Sequence, residues 1–527
     1  MALKKLGVGV MTAGLIGIAG LAGAQTGEDI VTLKSFDGFT QLRGELVGFD
    51  GSLYTIQTRL GTLEIDALLV TCEGDACPAN QLFGNAFGIH GSNTIGDALM
   101  PALIEGYSDV IQASVEREIG AVENERTFRI VHSSGQEMAA IDLQAHGSGT
   151  SYPALADGRA VIGMSSRRMK DDEAVLLQDT GINELRDTGN EHIVALDGLI
   201  ILVHPNNPVS SISVEEIARI FSGEIVNWSE LGGIDAPINI YARDDRSGTF
   251  DTFKSLVLDA NAVEISEDAF RFEDSVELSD NVSSDEAGIG FVGFAYARAA
   301  KVLPIRQECG LLTFPSTFAI KTEEYPLARR LYLYTTGRQM PVHAQRIMDF
   351  ALSEESSPFI EEAGFISLAA EAQSLNQQGL RITHAITSED EFSLPLMREM
   401  LTEFRDATRL STTFRFTPGS SQLTAKSQRD AEQFARDIID GAYDGKEILL
   451  VGFTDSIGQF ELNRALAARR AQGVLFTMAA AVADLPDAGE FEGADIRVQG
   501  YGELTPVGCN TTFAGRVANR RVEVWIR

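Results

Sequence analysis

Two places in this sequence gather residue types that would hold an anion or a zwitterion. The first is "YARDDRSGTF", Tyr241 to Phe250, where Arg243 and Arg246 stand among Asp244 and Asp245 just ahead of Ser247-Gly248-Thr249. A helix start presents unpaired backbone N–H groups and partial positive charge. Glycine lets such a backbone approach a ligand closely, and Ser and Thr hydroxyls add donors. The same chemistry recurs upstream in "HGSNT", His90 to Thr94, and "HGSGT", His146 to Thr150. One such turn is an ordinary helix cap. Three, with an arginine beside the last, would make an oxyanion cradle if they converged. His90 and His146 read as packing or capping residues, with a ligand role as the alternative. The second place pairs Asp455, at the end of the strand-like "EILLVGFTD", with Arg470 in the helical "LNRALAARRAQGVL". A carboxylate and a guanidinium facing one pocket suit a ligand with both an ammonium and a carboxylate; the alternative is an internal Asp455–Arg470 salt bridge. Seven scattered histidines show no H-E-x-x-H spacing, and no nucleophile elbow is present, which argues against a hydrolase.

These groups need elements to aim them. A chain of 527 residues exceeds one hydrophobic core, so several domains are expected. The opening "MALKKLGVGVMTAGLIGIAGLAGAQ" has two lysines, an apolar run and Ala22-Gly23-Ala24. It reads as a signal peptide over residues 1–24 rather than a retained anchor. Residues 25–79 break into short strands such as "TQLRGELVGF" and "SLYTIQTRL", separated by turns, and predict a small β-barrel or meander. Over residues 80–372 strand-like and helical runs alternate, the pattern of an α/β domain. Residues 373–410 hold a polar joint, "AQSLNQQG", and a charged helical stretch. Residues 411–527 read strand, helix, strand, helix, strand. The net charge of −32 argues against nucleic acid and anionic membranes as partners. No stretch beyond the leader is long and apolar enough to span a bilayer. Cys72, Cys77, Cys309 and Cys509 allow three pairings, among which sequence does not choose, although "CEGDAC" could close a small loop.

The middle segment resembles the periplasmic phosphate-binding proteins of ABC transport. "YARDDRSGTFDTF" is similar to that family's R-x-D-x-S-G-T segment, "GSNTI" and "HGSGTS" to its first two anion turns, and "IARIFSGEIVNWSELGG" and "SSDEAGIGFVGFAYA" to two further stretches. The resemblance implies a two-lobed type II periplasmic binding fold over residues 80–372, closing on its ligand by hinge motion. It implies phosphate contacts from Thr94, the Ile95 backbone, Ser148, Arg243, Ser247, Gly248 and Thr249, with Asp245 orienting Arg243. One departure stands out. Where the best-known members carry an aspartate that accepts the proton of monohydrogen phosphate, "VIGMSSRRM" has Ser166, followed by Arg167. Ser166 still accepts a proton, but a fully ionised oxyanion such as sulfate is then excluded less strongly.

The C-terminal segment resembles the OmpA-like peptidoglycan-binding domain through Thr454-Asp455, Gly458, Asn463, Arg470-Ala471, "GYGELTP", Asn510 and "NRRVEV". The resemblance implies an α/β sandwich of β-α-β-α-β type over residues 411–527. In it Asp455 takes the ammonium and Arg470 the carboxylate of diaminopimelate in the peptidoglycan stem, with Thr454, Asn463 and Arg520 completing the contacts. The protein expected is therefore multidomain and periplasmic, a non-enzymatic binding protein without a cofactor. Its ligand would be inorganic phosphate or a similar oxyanion. It would sit on the cell wall of a Gram-negative envelope, at the outer membrane, with an ABC transporter as candidate partner and transport or sensing both open. The alternative is a structural envelope protein whose receptor-like domain binds another oxyanion or a protein.

Overall fold

A computed structural model describes residues 30–35, 40–49, 53–59, 61–78, 85–182, 185–186, 189–245, 247–387, 393–417, 420–483, 485 and 488–527. The leader expected over residues 1–24 and Arg246 lie outside the described residues. The chain forms two compact units, residues 1–81 and 82–527.

In the first unit, alternating apolar positions build β1 (Ile30–Ser35), β2 (Gln41–Phe49), β3 (Leu53–Thr58), β4 (Gly61–Asp66) and β5 (Val70–Glu73). Val31, Leu33, Tyr54 and Ile56 point to the buried side. The expected small β-barrel is not closed. The described strands make one antiparallel sheet in the order β4-β3-β2-β1-β5, because the four residues of β5 pair only with β1 and never reach β4. A Cys72–Cys77 disulfide follows β5.

The second unit begins with an eleven-stranded sheet. Its first half contains β6 (Asn85–Gly91), β7 (Ser114–Ile119), β8 (Glu125–Val131), β9 (Glu137–Ala145) and β10 (Ile162–Ser165). The long β11 (Glu191–Val203) leads to a second half of β12 (Asn239–Arg243), β13 (Phe270–Phe272), β14 (Gly288–Gly293) and β15 (Lys301–Leu303). After a small hairpin, β16 (Ile305–Arg306) and β17 (Leu312–Thr313), the chain returns as β18 (Ala328–Tyr334). The order is β13-β12-β14-β11-β18-β10-β6-β9-β8-β7, with β15 on β11. β6 runs parallel to β9 and β10, and β12 to β13 and β14. β11 joins the halves: Glu191–Gly198 pairs with β18 and Leu199–Val203 with β14. It is almost wholly buried, as a strand covered on both faces must be. Its mid-strand charge, Asp197, sits in register with Arg329 of β18.

The chain ends in a second sheet, built from β19 (Ala372–Ser374), β20 (Thr408–Arg415), β21 (Glu447–Phe453), β22 (Asp495–Gly500) and β23 (Arg521–Ile526) in the order β19-β20-β23-β21-β22. Helices Ala425–Ile439 and Phe460–Val482 bury Ala431, Phe434, Ala471, Val474 and Met478 against one face. The other face meets Leu396, Met397, Met400 and Phe404 of helix Leu394–Phe404, with Phe404 stacked on Trp525 at 4.3 Å between ring centroids. The stretch 373–410 thus supplies an edge strand and a third layer.

The two sheets of this unit are fastened together. A Cys309–Cys509 disulfide bridges a sequence separation of 200. Glu324 binds Arg409 at 2.5 Å, and Glu323 faces Arg415 at 3.5 Å while binding Arg330 at 2.7 Å. Arg415 also donates to the Thr322 carbonyl at 2.5 Å. Behind Arg409 lies Glu523, fully buried, receiving Arg381 at 2.6 Å, Arg521 at 2.8 Å and the Trp525 indole N–H at 3.0 Å. Burial alone would raise the pKa of Glu523, but Arg381, Arg409 and Arg521 outweigh it and hold the carboxyl well below the usual range.

Candidate functional site

The three glycine turns lie where β6, β9 and β12 end. Because β6 and β9 are parallel neighbours, their turns emerge side by side, and the Gly147 amide donates to the Gly91 carbonyl at 2.8 Å. β10 flanks β6 on the other side and delivers Ser166. Ser148 Oγ accepts the Ser166 amide at 3.0 Å and lies 3.1 Å from Ser166 Oγ. Thr94 and Ile95, both buried, open the helical stretch that runs into helix Met100–Val110.

The third turn comes from the other half of the sheet. Ser247 caps helix Gly248–Phe253, its Oγ accepting the Thr249 and Phe250 amides at 3.2 and 3.4 Å. Gly248 abuts Thr94. A Cβ built on Gly248 would stand 1.8 Å from Thr94 Oγ1, so this close approach requires glycine. The first turn therefore touches both others, and Thr94, Ile95, Ser148, Ser166, Ser247, Gly248 and Thr249 come together.

Arg243 is placed differently. It ends β12 in register with Phe272 of β13, and its guanidinium follows that neighbour. Nε donates to the Phe272 carbonyl at 3.3 Å, Nη2 to the Glu273 carbonyl at 2.6 Å, and Nη1 to Ser275 Oγ. Burial lowers its pKa, opposed by Asp244, Asp274, Tyr296 and Asp97, the last in the helical stretch that follows the first turn. Asp245, expected to orient Arg243, instead pairs with Arg271, which β13 carries past the turn. Arg167 is held by Glu173 through two bonds of 2.6 and 2.8 Å. His90 and His146 each meet a carboxylate, Asp142 and Glu125, at 3.1 Å.

Sequence reasoning missed Arg329. Its Nη2 lies 3.0 Å from Thr94 Oγ1, 3.1 Å from the Gly248 carbonyl and 3.0 Å from Asp197 Oδ2. Burial pulls its pKa down, opposed by Asp197 and Asp251. A signal existed: a lone carboxylate in the apolar strand "HIVALDGLIILV" has to be paired, and a cation elsewhere had to supply the partner.

The second constellation sits at the end of β21. Asp455 Oδ2 accepts Arg520 Nη1 at 2.5 Å and Oδ1 accepts the Ile457 amide at 3.2 Å. Asn463 Nδ2 donates to the Asp455 carbonyl at 3.3 Å and to Glu503 at 2.6 Å. Gly458, at φ +115°, turns the chain between them. Arg470 lies on the face of helix Phe460–Val482 that carries Asn463 and Ala467. The internal Asp455–Arg470 bridge is not formed, since Arg520 occupies the carboxylate. Arg470 Nε and Nη1 and Thr454 Oγ1 are buried with no hydrogen-bond partner among the described residues. The Arg470 guanidinium is 5.2 Å from the centroid of Phe416. Burial lowers its pKa, Arg520 adds to the effect, and Asp455 opposes it. Among the described residues no cluster of three His, Cys, Asp or Glu side chains is placed to hold a metal ion.

Comparison with known proteins assigns two segments of the chain to families. A PBP superfamily domain matches residues 130–355, and the OmpA family matches residues 415–520. Phosphate-binding protein PstS of Bacillus subtilis is 32% identical over 230 residues, covering 43% of this chain and 71% of that protein. The chain belongs to the PstS-like PBP family and carries a C-terminal OmpA family domain. Protein SphX of Synechocystis is 30% identical over 259 residues, covering 46% of this chain and 75% of its own length. PstS of Borreliella burgdorferi is 27% identical over 204 residues, 37% of this chain and 72% of that one. Among solved structures, an ABC-type phosphate transport receptor from Vibrio cholerae aligns with a TM-score of 0.42 at 22% identity, covering 53% of this chain and 99% of that one. The PstS-like family groups this chain with binding proteins rather than enzymes.

Proposed function

We propose that this chain is an extracytoplasmic phosphate receptor that its OmpA domain holds non-covalently on peptidoglycan. The convergence of three helix-start turns from both halves of one sheet carries the first part. The turn amides not already bonded within the turns, together with the hydroxyls of Thr94, Ser148, Ser247 and Thr249, form a donor-rich cleft suited to a tetrahedral oxyanion, and the PstS relatives are phosphate-binding proteins by name. In this reading β11 and β18 are the hinge between two lobes, and Arg243 is the nearby cation. Arg470 carries the second part. A buried guanidinium with two unpartnered donors beside Asp455 and Arg520 is poised for a carboxylate such as that of diaminopimelate, with Asp455 for the ammonium and Thr454, Asn463 and Arg520 around it. Both disulfides support export, since all four cysteines are paired. An ABC transporter is the candidate recipient of captured phosphate.

One observation favours a second reading of the ligand. Ser166, paired with Ser148, puts a neutral hydroxyl where a carboxylate would repel a fully ionised anion, so sulfate is excluded less strongly. Calorimetric titration of the full chain, stripped of phosphate, decides. Phosphate binding at micromolar concentration or tighter with weak sulfate heat is the expected result. Equal binding establishes an unselective oxyanion site, and silence from both removes the receptor role. Pelleting with purified sacculi tests the wall contact on the same sample.

A further inference from the structure

Arg329 stands at the point where β11 passes from one half of the sheet to the other. It is in register with Asp197, the second-last residue of the segment that pairs with β18 before β11 turns to β14. Side-chain exposure is 7% for Arg329 and 5% for Asp197, so the pair is committed to the interior. From there the guanidinium reaches one anion turn of each lobe, Thr94 in the first and the Gly248 carbonyl in the second. We infer that Arg329 is a positioning residue of the anion site, which fixes the Thr94 hydroxyl as a donor and latches the first turn to the third across the hinge. This rests on the receptor reading above.

The chemistry follows from the donor inventory. Arginine has no acceptor, so its contact with Thr94 occupies the acceptor side of the hydroxyl. The single hydroxyl hydrogen is then free to point at an anion oxygen. Without Arg329, nothing occupies the acceptor side of the hydroxyl and its hydrogen loses that fixed direction. Three acceptors, Asp197 Oδ2, Thr94 Oγ1 and Gly248 O, crowd an Nη2 that carries two hydrogens. Asp197 also takes Nε at 3.2 Å, which keeps the plane of the guanidinium fixed while the two turns share the remaining donor. The Arg329–Asp197 pair is neutral as a whole. It orders the site without adding net charge, so its effect differs from that of a cation placed directly on the ligand.

The test is a double-mutant cycle on the full chain with inorganic phosphate as probe, read by calorimetry. Arg329→Met and Thr94→Val should each weaken phosphate by about 10–100-fold, the size of a charge-assisted hydrogen bond. The double variant should be no more than about threefold weaker than the worse single one, because both changes remove the same oriented donor. Fully additive losses overturn the inference. A second variant guards against misfolding. Arg329→Met with Asp197→Leu replaces the buried ion pair by apolar groups of similar size, an exchange that folded proteins tolerate. It should keep the thermal transition and sacculus pelleting of the parent yet show the same weakened binding with unchanged dependence on ionic strength. Parent-like phosphate affinity in that variant refutes the positioning role while leaving the receptor reading intact. A parent protein that gives no heat with phosphate or sulfate overturns both.

Discussion

Arg470 should be dispensable for folding and indispensable for wall binding, a combination that separates a ligand site from a structural ion pair. Two of its guanidinium nitrogens are buried without partners, so the protein alone bears a desolvation cost that no internal bond offsets. Its internal support is the Phe416 ring at 5.2 Å, a contact worth about 0.5–2 kcal/mol that the thioether of methionine largely replaces. Arg470→Met should therefore leave the thermal midpoint within a few degrees of the parent, corresponding to a change under about 1 kcal/mol. Against sacculi the outcome is opposite. A bidentate bond to a stem carboxylate contributes about 3 kcal/mol or more, since hydrogen bonds to charged groups are worth about 1.5–3 kcal/mol each. Its loss should raise the concentration for half-pelleting by about 100-fold or more. Arg470→Lys keeps the charge but not the planar fork and should recover only a small part. The assay pairs a melting curve with pelleting on purified sacculi. Normal pelleting by Arg470→Met, or a fall in midpoint of ten degrees with pelleting unaffected, would refute the reasoning and make Arg470 part of the scaffold.

Other consequences are as direct. Arg243→Ala should weaken phosphate by about 30–150-fold in calorimetry; an unchanged dissociation constant would show that its bonds to the Phe272 and Glu273 carbonyls are its whole role. Cys309→Ser with Cys509→Ser should lower the unfolding transition of the second unit by several degrees in calorimetry, because a closure spanning 200 residues restricts the unfolded chain by up to about 5 kcal/mol, whereas an unshifted transition would leave the ion pairs as the fastening. Acid should loosen the same junction. Burial raises the pKa of Glu323, but Arg330, Lys426 and Arg415 more than offset it and hold it down at about 2. Its folded pKa lies below the unfolded value of about 4.3, so the stabilisation is complete above that pH and is lost as pH falls towards 2. Glu323→Gln should thus narrow its gap to the parent in melting midpoint between pH 5 and 2, and a constant gap would contradict the assignment.

What could be read from the sequence was local. The three glycine turns each carry their candidate donors within five residues, so "HGSNT", "HGSGT" and "RSGTF" could be named from sequence as one candidate site, and the structure brings them together. The terminal constellation was legible for the same reason, since Asp455, Asn463 and Arg470 lie on one strand end and the following helix. What escaped was set by strand pairing. Arg329 meets Asp197 only because β18 lies antiparallel to β11, and Asp245 finds Arg271 only because β13 lies parallel to β12. Neither neighbour is implied by sequence spacing. The Cys309–Cys509 pairing is non-local in the same way. The stretch 373–410 read as a polar joint and a charged helix, and what the sequence reading did not use is that Leu396, Met397, Met400 and Phe404 carry the spacing of a buried helix face. The first unit read as a barrel or a meander because short alternating strands look alike whether a sheet closes or stays open.

The pairing of β18 also explains how the PstS-like and OmpA domains share one framework. Neighbouring side chains of a strand point to opposite faces. Arg329 faces the anion turns, and Arg330, next to it, faces Glu323, which in turn meets Arg415 of β20. The OmpA domain follows the hinge pair along its length. Arg429 donates to the Glu191 carbonyl at one end of β11, while Val507 and Cys509 meet Gln307 and Cys309 beyond β15. In the receptor reading proposed above, contacts of this kind stiffen the hinge and restrict its travel. Affinity in such a protein is better drawn from a cleft that is already nearly shut. In the same receptor reading, the contact between Thr94 and Gly248 is of that kind and favours preorganised donors over travel of the lobes.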